Sequence, residues 1–150
     1  MSTCTGPYVR VPFSHADLKP AENLVASIRG VGAPLLIREM PTGDGVADNF
    51  ALHVDIEDPS IPNCIWDVRA AKFQGPKKMF GRRHVYEIAV RKRNEQNTVV
   101  WEGYRFTDKF EMLADYFCAD FANLLSGVTL KTWLPATTAQ EQRIQLCTGL

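Results

Sequence analysis

Between residues 50 and 106 the sequence alternates apolar and polar side chains four times over, and turn-forming clusters break the stretches apart. Successive strand residues point to opposite faces, so such alternation fits half-buried strands and no helix. Phe50, Leu52, Val54 and Ile56 fall on one face, with Ala51, His53, Asp55 and Glu57 on the other. From Cys64 to Phe73, Cys64, Trp66, Val68 and Ala70 share a face, with Asp67 and Arg69 opposite. Tyr86, Ile88 and Val90 continue the pattern between Arg83 and Arg91, and Thr98–Phe106 is the most β-prone stretch of all. The polar Lys92–Asn97 run between the last two reads as a hairpin turn. The expectation is an antiparallel meander of at least four strands.

Helical periodicity frames this meander. Ala21, Leu24, Val25 and Ile28 follow the i, i+3, i+4, i+7 rule after Pro20, and Gly30 and Gly32 stop the run. Phe110, Leu113, Ala114, Phe117, Phe121, Leu124 and Leu125 form a longer stripe, opened by Asp108 with Glu111 as a capping box and closed by Ser126-Gly127. Tyr8–Phe13 reads as an edge strand flanked by prolines, Leu35–Met40 as a buried strand and Val128–Leu134 as a last edge strand. Thr138 with Glu141 could cap a short terminal helix. At 150 residues the chain suits a single domain. The fold class expected is α+β: a mainly antiparallel sheet of five or six strands with two helices packed on one face, residues 1–13 holding an edge strand and 135–150 a peripheral tail.

Seventeen basic residues balance seventeen acidic ones, so no global charge draws the chain to nucleic acid or to a lipid surface. The layout is less even. From Glu39 to Asp67 there are seven acids and no Lys or Arg, whereas from Arg69 to Arg93 nine bases face Glu87 alone. Adjacent strands carrying these blocks would neutralise each other by cross-strand pairing. A loop carrying the bases would instead present them to an acidic partner. No apolar run approaches the roughly 20 residues that span a bilayer, and no signal pattern opens the chain, so the expected setting is cytoplasmic without membrane insertion.

The motif inventory removes several chemistries. Cys4, Cys64, Cys118 and Cys147 lie too far apart for a zinc or redox motif, and Cys118 is expected as a small core residue on the second helix. No phosphate-loop, dinucleotide, zincin or serine-nucleophile motif occurs, nor do the paired His-x-Thr/Ser repeats of two-histidine phosphodiesterases. His53 and Asp55 share a strand face and could act as a base with its orienter or as two metal ligands. His15 and Asp17 repeat the spacing, so a four-ligand site from His15, Asp17, His53 and Asp55 is conceivable, although Ser14 and Asp17 look more like capping groups. No catalytic residue, metal or cofactor is assigned.

The strongest local feature is Gln74–His84, where Lys77, Lys78, Arg82 and Arg83 surround Met79 and Phe80 between glycines. This is the expected binding element, its aromatic and Met side chains anchoring a protein partner and its bases forming the rim. The order of elements over residues 16–125, with "ADNFALHVDIED" and "VVWEGYRFTD" flanking the hairpin, resembles small bacterial envelope accessory lipoproteins in pattern, and implies no functional residue. The function expected is a non-catalytic binding or assembly subunit that docks to a larger protein complex through this loop or a sheet edge. A nucleic-acid-contacting or inhibitory module using the same loop is the first alternative, a small metal-dependent hydrolase centred on His53 and Asp55 the second. A second copy of the chain is a further candidate partner.

Overall fold

The computed structural model describes residues 8–30, 52–57, 65–76, 83–128 and 130–149. Strand β1 (Val9–Val11) leads through a single 3-10 turn into helix α1 (Leu18–Arg29). Strands β2 (Leu52–Glu57), β3 (Ile65–Gln74), β4 (His84–Arg93) and β5 (Val99–Thr107) follow, then helices α2 (Met112–Leu125) and α3 (Ala136–Thr148). All five strands form one antiparallel sheet in which β3 pairs with β4 on one side and β4 with β5 beyond it. On its other side β3 is long enough to hold β2 along residues 65–70 and β1 along 72–74, end to end.

The register turns the sequence alternation into two faces. Leu52, Val54, Ile56, Trp66, Val68, Ala70, Ile88 and Val90 line the first, all buried, and α1 and α2 cover it with Leu24, Ile28, Leu113, Phe117 and Phe121. Aromatic packing ties the layers together: Trp66 meets Phe121 edge-on at 5.4 Å, and Phe117 stacks on Phe121 at 4.6 Å. The α+β class and the mainly antiparallel five-stranded sheet are as the sequence implies.

Among the described residues there are three helices, not two. α3 lies over residues expected as a peripheral tail and packs on the second face, where Cys147 joins Ala71, Phe73 and Val85 in a small separate core. Its approach depends on Gly75: a Cβ there would come within 1.9 Å of the Cys147 carbonyl oxygen. Val128–Leu134 is not a strand among the described residues, since only Leu134 bridges Tyr104. Cys118 is exposed on α2, not buried in the core, and Cys147 is the buried thiol among the described residues.

Local details follow residue chemistry. In the β4–β5 turn the Asn94 side chain accepts bonds from the Gln96 and Thr98 amides, and Asn97 adopts a left-handed φ of 63°. Before α2, the expected capping box is absent, and Thr107 Oγ1 instead accepts the Lys109 amide at 3.1 Å. The capping box falls ahead of α1, where the Ser14 amide and hydroxyl both donate to Asp17 Oδ2 at 2.8 and 3.0 Å. The expected strand at 35–40 lies outside the described residues.

Candidate functional site

The second face of the sheet carries nearly all the charge-bearing chemistry, and its cross-strand rows set the neighbours. His53, Arg69, Ala89 and Tyr104 form one row across β2, β3, β4 and β5; Asp55, Asp67, Arg91 and Glu102 form the next; Ile65 and Arg93 lie one row further along β3 and β4. Asp55 and Asp67 are thus directly opposed, a like-charge pair that destabilises unless something bridges it. His53 Nε2 does so, 2.8 Å from Asp55 Oδ1 and 3.0 Å from Asp67 Oδ1. Arg93 adds a clamp: its Nη2 donates to Asp55 Oδ1 at 3.4 Å and to Asp67 Oδ1 at 3.2 Å, while its Nε lies 3.0 Å from Asp67 Oδ2. Arg91 Nη2 is 3.4 Å from the same Oδ2.

The two carboxyls are held unequally. Asp67 is completely buried. Burial alone would raise its pKa, but the bonds from His53 and the two arginines outweigh that and hold it well below the carboxylate range. Asp55 moves the other way, raised first by burial and then by the Asp67 carboxyl beside it.

The ligand atoms of His53, Asp55 and Asp67 lie within 4.8 Å of one another, the geometry of a metal site. The donor set does not suit a divalent ion, because both carboxylates already carry a guanidinium and a dication would be pressed against Arg91 and Arg93. The wider four-ligand site fails on topology. Asp17 sits on the other side of the sheet, taking the Lys72 ammonium at 2.9 Å and the Tyr86 hydroxyl at 2.6 Å, while His53 and Asp55 are on the second face. Those two donors, with the Ser14 amide and hydroxyl, overcome burial and lower the Asp17 pKa to about 2.

Between this cluster and α3 a cleft of about 540 Å³ opens over the sheet. Ala89 contributes its methyl where the surrounding residues are long, and Arg10, Arg69, Arg91 and Arg143 line the cleft against Glu87 alone, a formal charge of +3. Tyr8, Phe73 and Tyr104 supply aromatic wall and Gln140 an amide. Arg143 is the best-anchored of the arginines. Its Nε and Nη2 donate to Glu87 Oε1, the former at 2.9 Å, and the Tyr8, Phe73, Tyr104 and Phe106 rings surround it at 5.0–5.9 Å. Glu87 is buried, which raises its pKa against the pull of Arg143. Arg91 Nε, by contrast, is buried without a hydrogen bond.

Of the residues expected to bind a partner, Lys77, Lys78, Met79, Phe80 and Arg82 lie outside the described residues. Arg83 is described and exposed, and its guanidinium lies beside Gly149 at the C-terminal end of α3, favourable for a cation. His84 pairs with Gln74 at 3.0 Å. The residues the sequence reading passed over are Arg91, Arg93, Glu87 and Arg143 acting as one surface. For Glu87, Arg91 and Arg93 the signal is their odd-numbered positions on β4, which need the register to become neighbours of β3 residues; Arg143 joins them from α3. Comparison with known proteins finds no match: no family model, no curated protein and no solved structure. Among the described residues no helix is long and apolar enough to cross a membrane.

Proposed function

We propose that this chain is a non-catalytic binding module that docks to a partner through anionic groups, and that its recognition surface is the open half of the sheet's second face. One observation carries the reading: a chain of zero net charge gathers four arginines against one glutamate around a single cleft. Low-dielectric walls beside these charges focus their field toward an incoming anion. The hydrolase alternative is weakened by the same geometry, since the one His and Asp cluster among the described residues is clamped by arginines. The basic loop at 74–84 is the competing surface, supported by its four bases and by the exposure of Arg83.

Retention on immobilised poly-L-glutamate separates the two. The expected result is salt-sensitive retention of the wild type that is lost in the Arg69→Gln/Arg91→Gln variant and kept when Lys77, Lys78, Arg82 and Arg83 are all reversed to Glu. Loss in the loop variant alone would move the recognition surface to the loop. No retention of the wild type at low salt would overturn the reading.

A further inference from the structure

The cleft has the dimensions of a small-molecule site as well as the charge of a docking face. We infer that it seats a small organic anion, a carboxylate or phosphate ester with a flat apolar body, over the Ala89 methyl; this rests on the reading of the face as an anion-recognising surface. Clefts that bury drug-sized ligands run from about 300 to 1,000 Å³, and this one is about 540 Å³.

The floor is what makes it a seat. Ala89 is paired across the strands with Arg69 on one side and Tyr104 on the other, and Glu87 and Arg91 flank it along β4 on the same face. A single methyl is thus ringed by long side chains, leaving a depression at the centre. Glu87 is already taken by Arg143 from α3, so the carboxylate in the ring is neutralised from within. Arg69 and Arg91 lie one strand apart as like charges, Arg91 also facing Asp67 Oδ2 at 3.4 Å, and burial together with Arg91 lowers the Arg69 pKa. An anion between them relieves that repulsion. Guanidinium forks match the planar oxygens of carboxylate and phosphate, while the half-buried Tyr104 offers its ring to a flat body.

The probes are benzoate and phenyl phosphate, titrated calorimetrically into the full chain. Saturable one-to-one binding of at least one is expected. Ala89→Leu fills the floor without touching any charge and should weaken that binding at least about tenfold, as should Arg91→Gln, whereas Lys109→Gln on the exposed turn before α2 should not change it. Ala89→Val, a smaller intrusion, serves if the leucine variant does not fold. Equal binding in all variants, or none in the wild type, overturns the inference. Should poly-L-glutamate be retained while neither probe binds, the docking surface stands and the small-molecule seat falls. If the probes bind without polymer retention, the seat stands and the macromolecular docking falls. A single-stranded oligonucleotide that displaces the probes more effectively than either displaces the other would overturn the small-ligand assignment in favour of nucleic acid.

Discussion

Each face of the sheet buries an aspartate, and the two are treated in opposite ways. On the helix-covered face Asp17 receives one ammonium, one phenol and the Ser14 donors, so its charge is matched and its lone pairs are used. On the second face Asp67 shares His53 and Arg93 with a second carboxylate, and Arg91 and Arg93 both lie against its Oδ2 in orientations that leave that oxygen without an aligned hydrogen bond. A closed network of the first kind holds a layer together. An over-supplied one, with charges of both signs crowded beside an open cleft, is an arrangement that a ligand can complete.

The comparison breaks first if the helix-covered face proves dispensable. Phe117→Ala or Phe121→Ala removes a buried ring from the α2 stripe and should cost about 3 to 5 kcal/mol through lost transfer energy and the cavity left behind, read as a lower urea midpoint. Next in size is the closed network. Asp17→Asn keeps the shape but strands the buried Lys72 ammonium, and a loss of about 3 kcal/mol is expected for an uncompensated buried charge. Asp55→Asn removes one of two opposed carboxylates instead. Relief of their repulsion offsets the weakened contact to Arg93, so stability should change by about 0.5 kcal/mol or less. A loss for Asp55→Asn as large as that for Asp17→Asn would mean that the second face is as closed as the first.

Acid titration sharpens the contrast. Asp17 is lowered from 3.8 to about 2, so its stabilisation is complete above pH 3.8 and disappears as pH falls toward 2; Asp67, also lowered, acts with the same sign. Asp55 and Glu87 are raised, so each opposes folding while ionised and stops doing so as pH falls through its folded value toward its ordinary one. Stability should therefore rise from neutral pH toward about 4 and then fall steeply. Asp55→Asn should flatten the rise, leave the part due to Glu87, and leave the Asp17 part of the acid limb unchanged. Guanidinium chloride midpoints across this range measure both limbs.

The sheet was legible because its signal is local. Period-two alternation in β2 to β5 and the 3.6-residue stripes of α1 and α2 are written within single segments, and register follows from which face is apolar. α3 was not legible as a packed helix, because its inward side mixes Ala139, Arg143, Leu146, Cys147 and Thr148, which is no continuous apolar stripe. Its anchor is an ion pair caged by Tyr8 just ahead of β1 and by rings from β3 and β5, which no single segment announces. The candidate site was half legible for the same reason. His53 and Asp55 could be seen as a pair on one strand, but Asp67, Arg91 and Arg93 joined them only across the register, and the join changed the chemistry from a metal site to an arginine-clamped one. Cys118 was misplaced because i, i+3, i+4 spacing bounds an apolar stripe only to within about one position, and the thiol sits just outside it.

On the reading proposed above, a ligand seats on the second face of the sheet and not on the first. Methyl carbon–proton spectra of the full chain, recorded as phenyl phosphate is added, read both faces at once. Ala89 reports on the cleft floor, while Val54, Val68 and Ile88 point the other way from the same sheet. A saturable shift of the Ala89 methyl with those three core methyls unmoved is expected. Shifts confined to the core methyls, or an Ala89 methyl that stays fixed while others move, would contradict it.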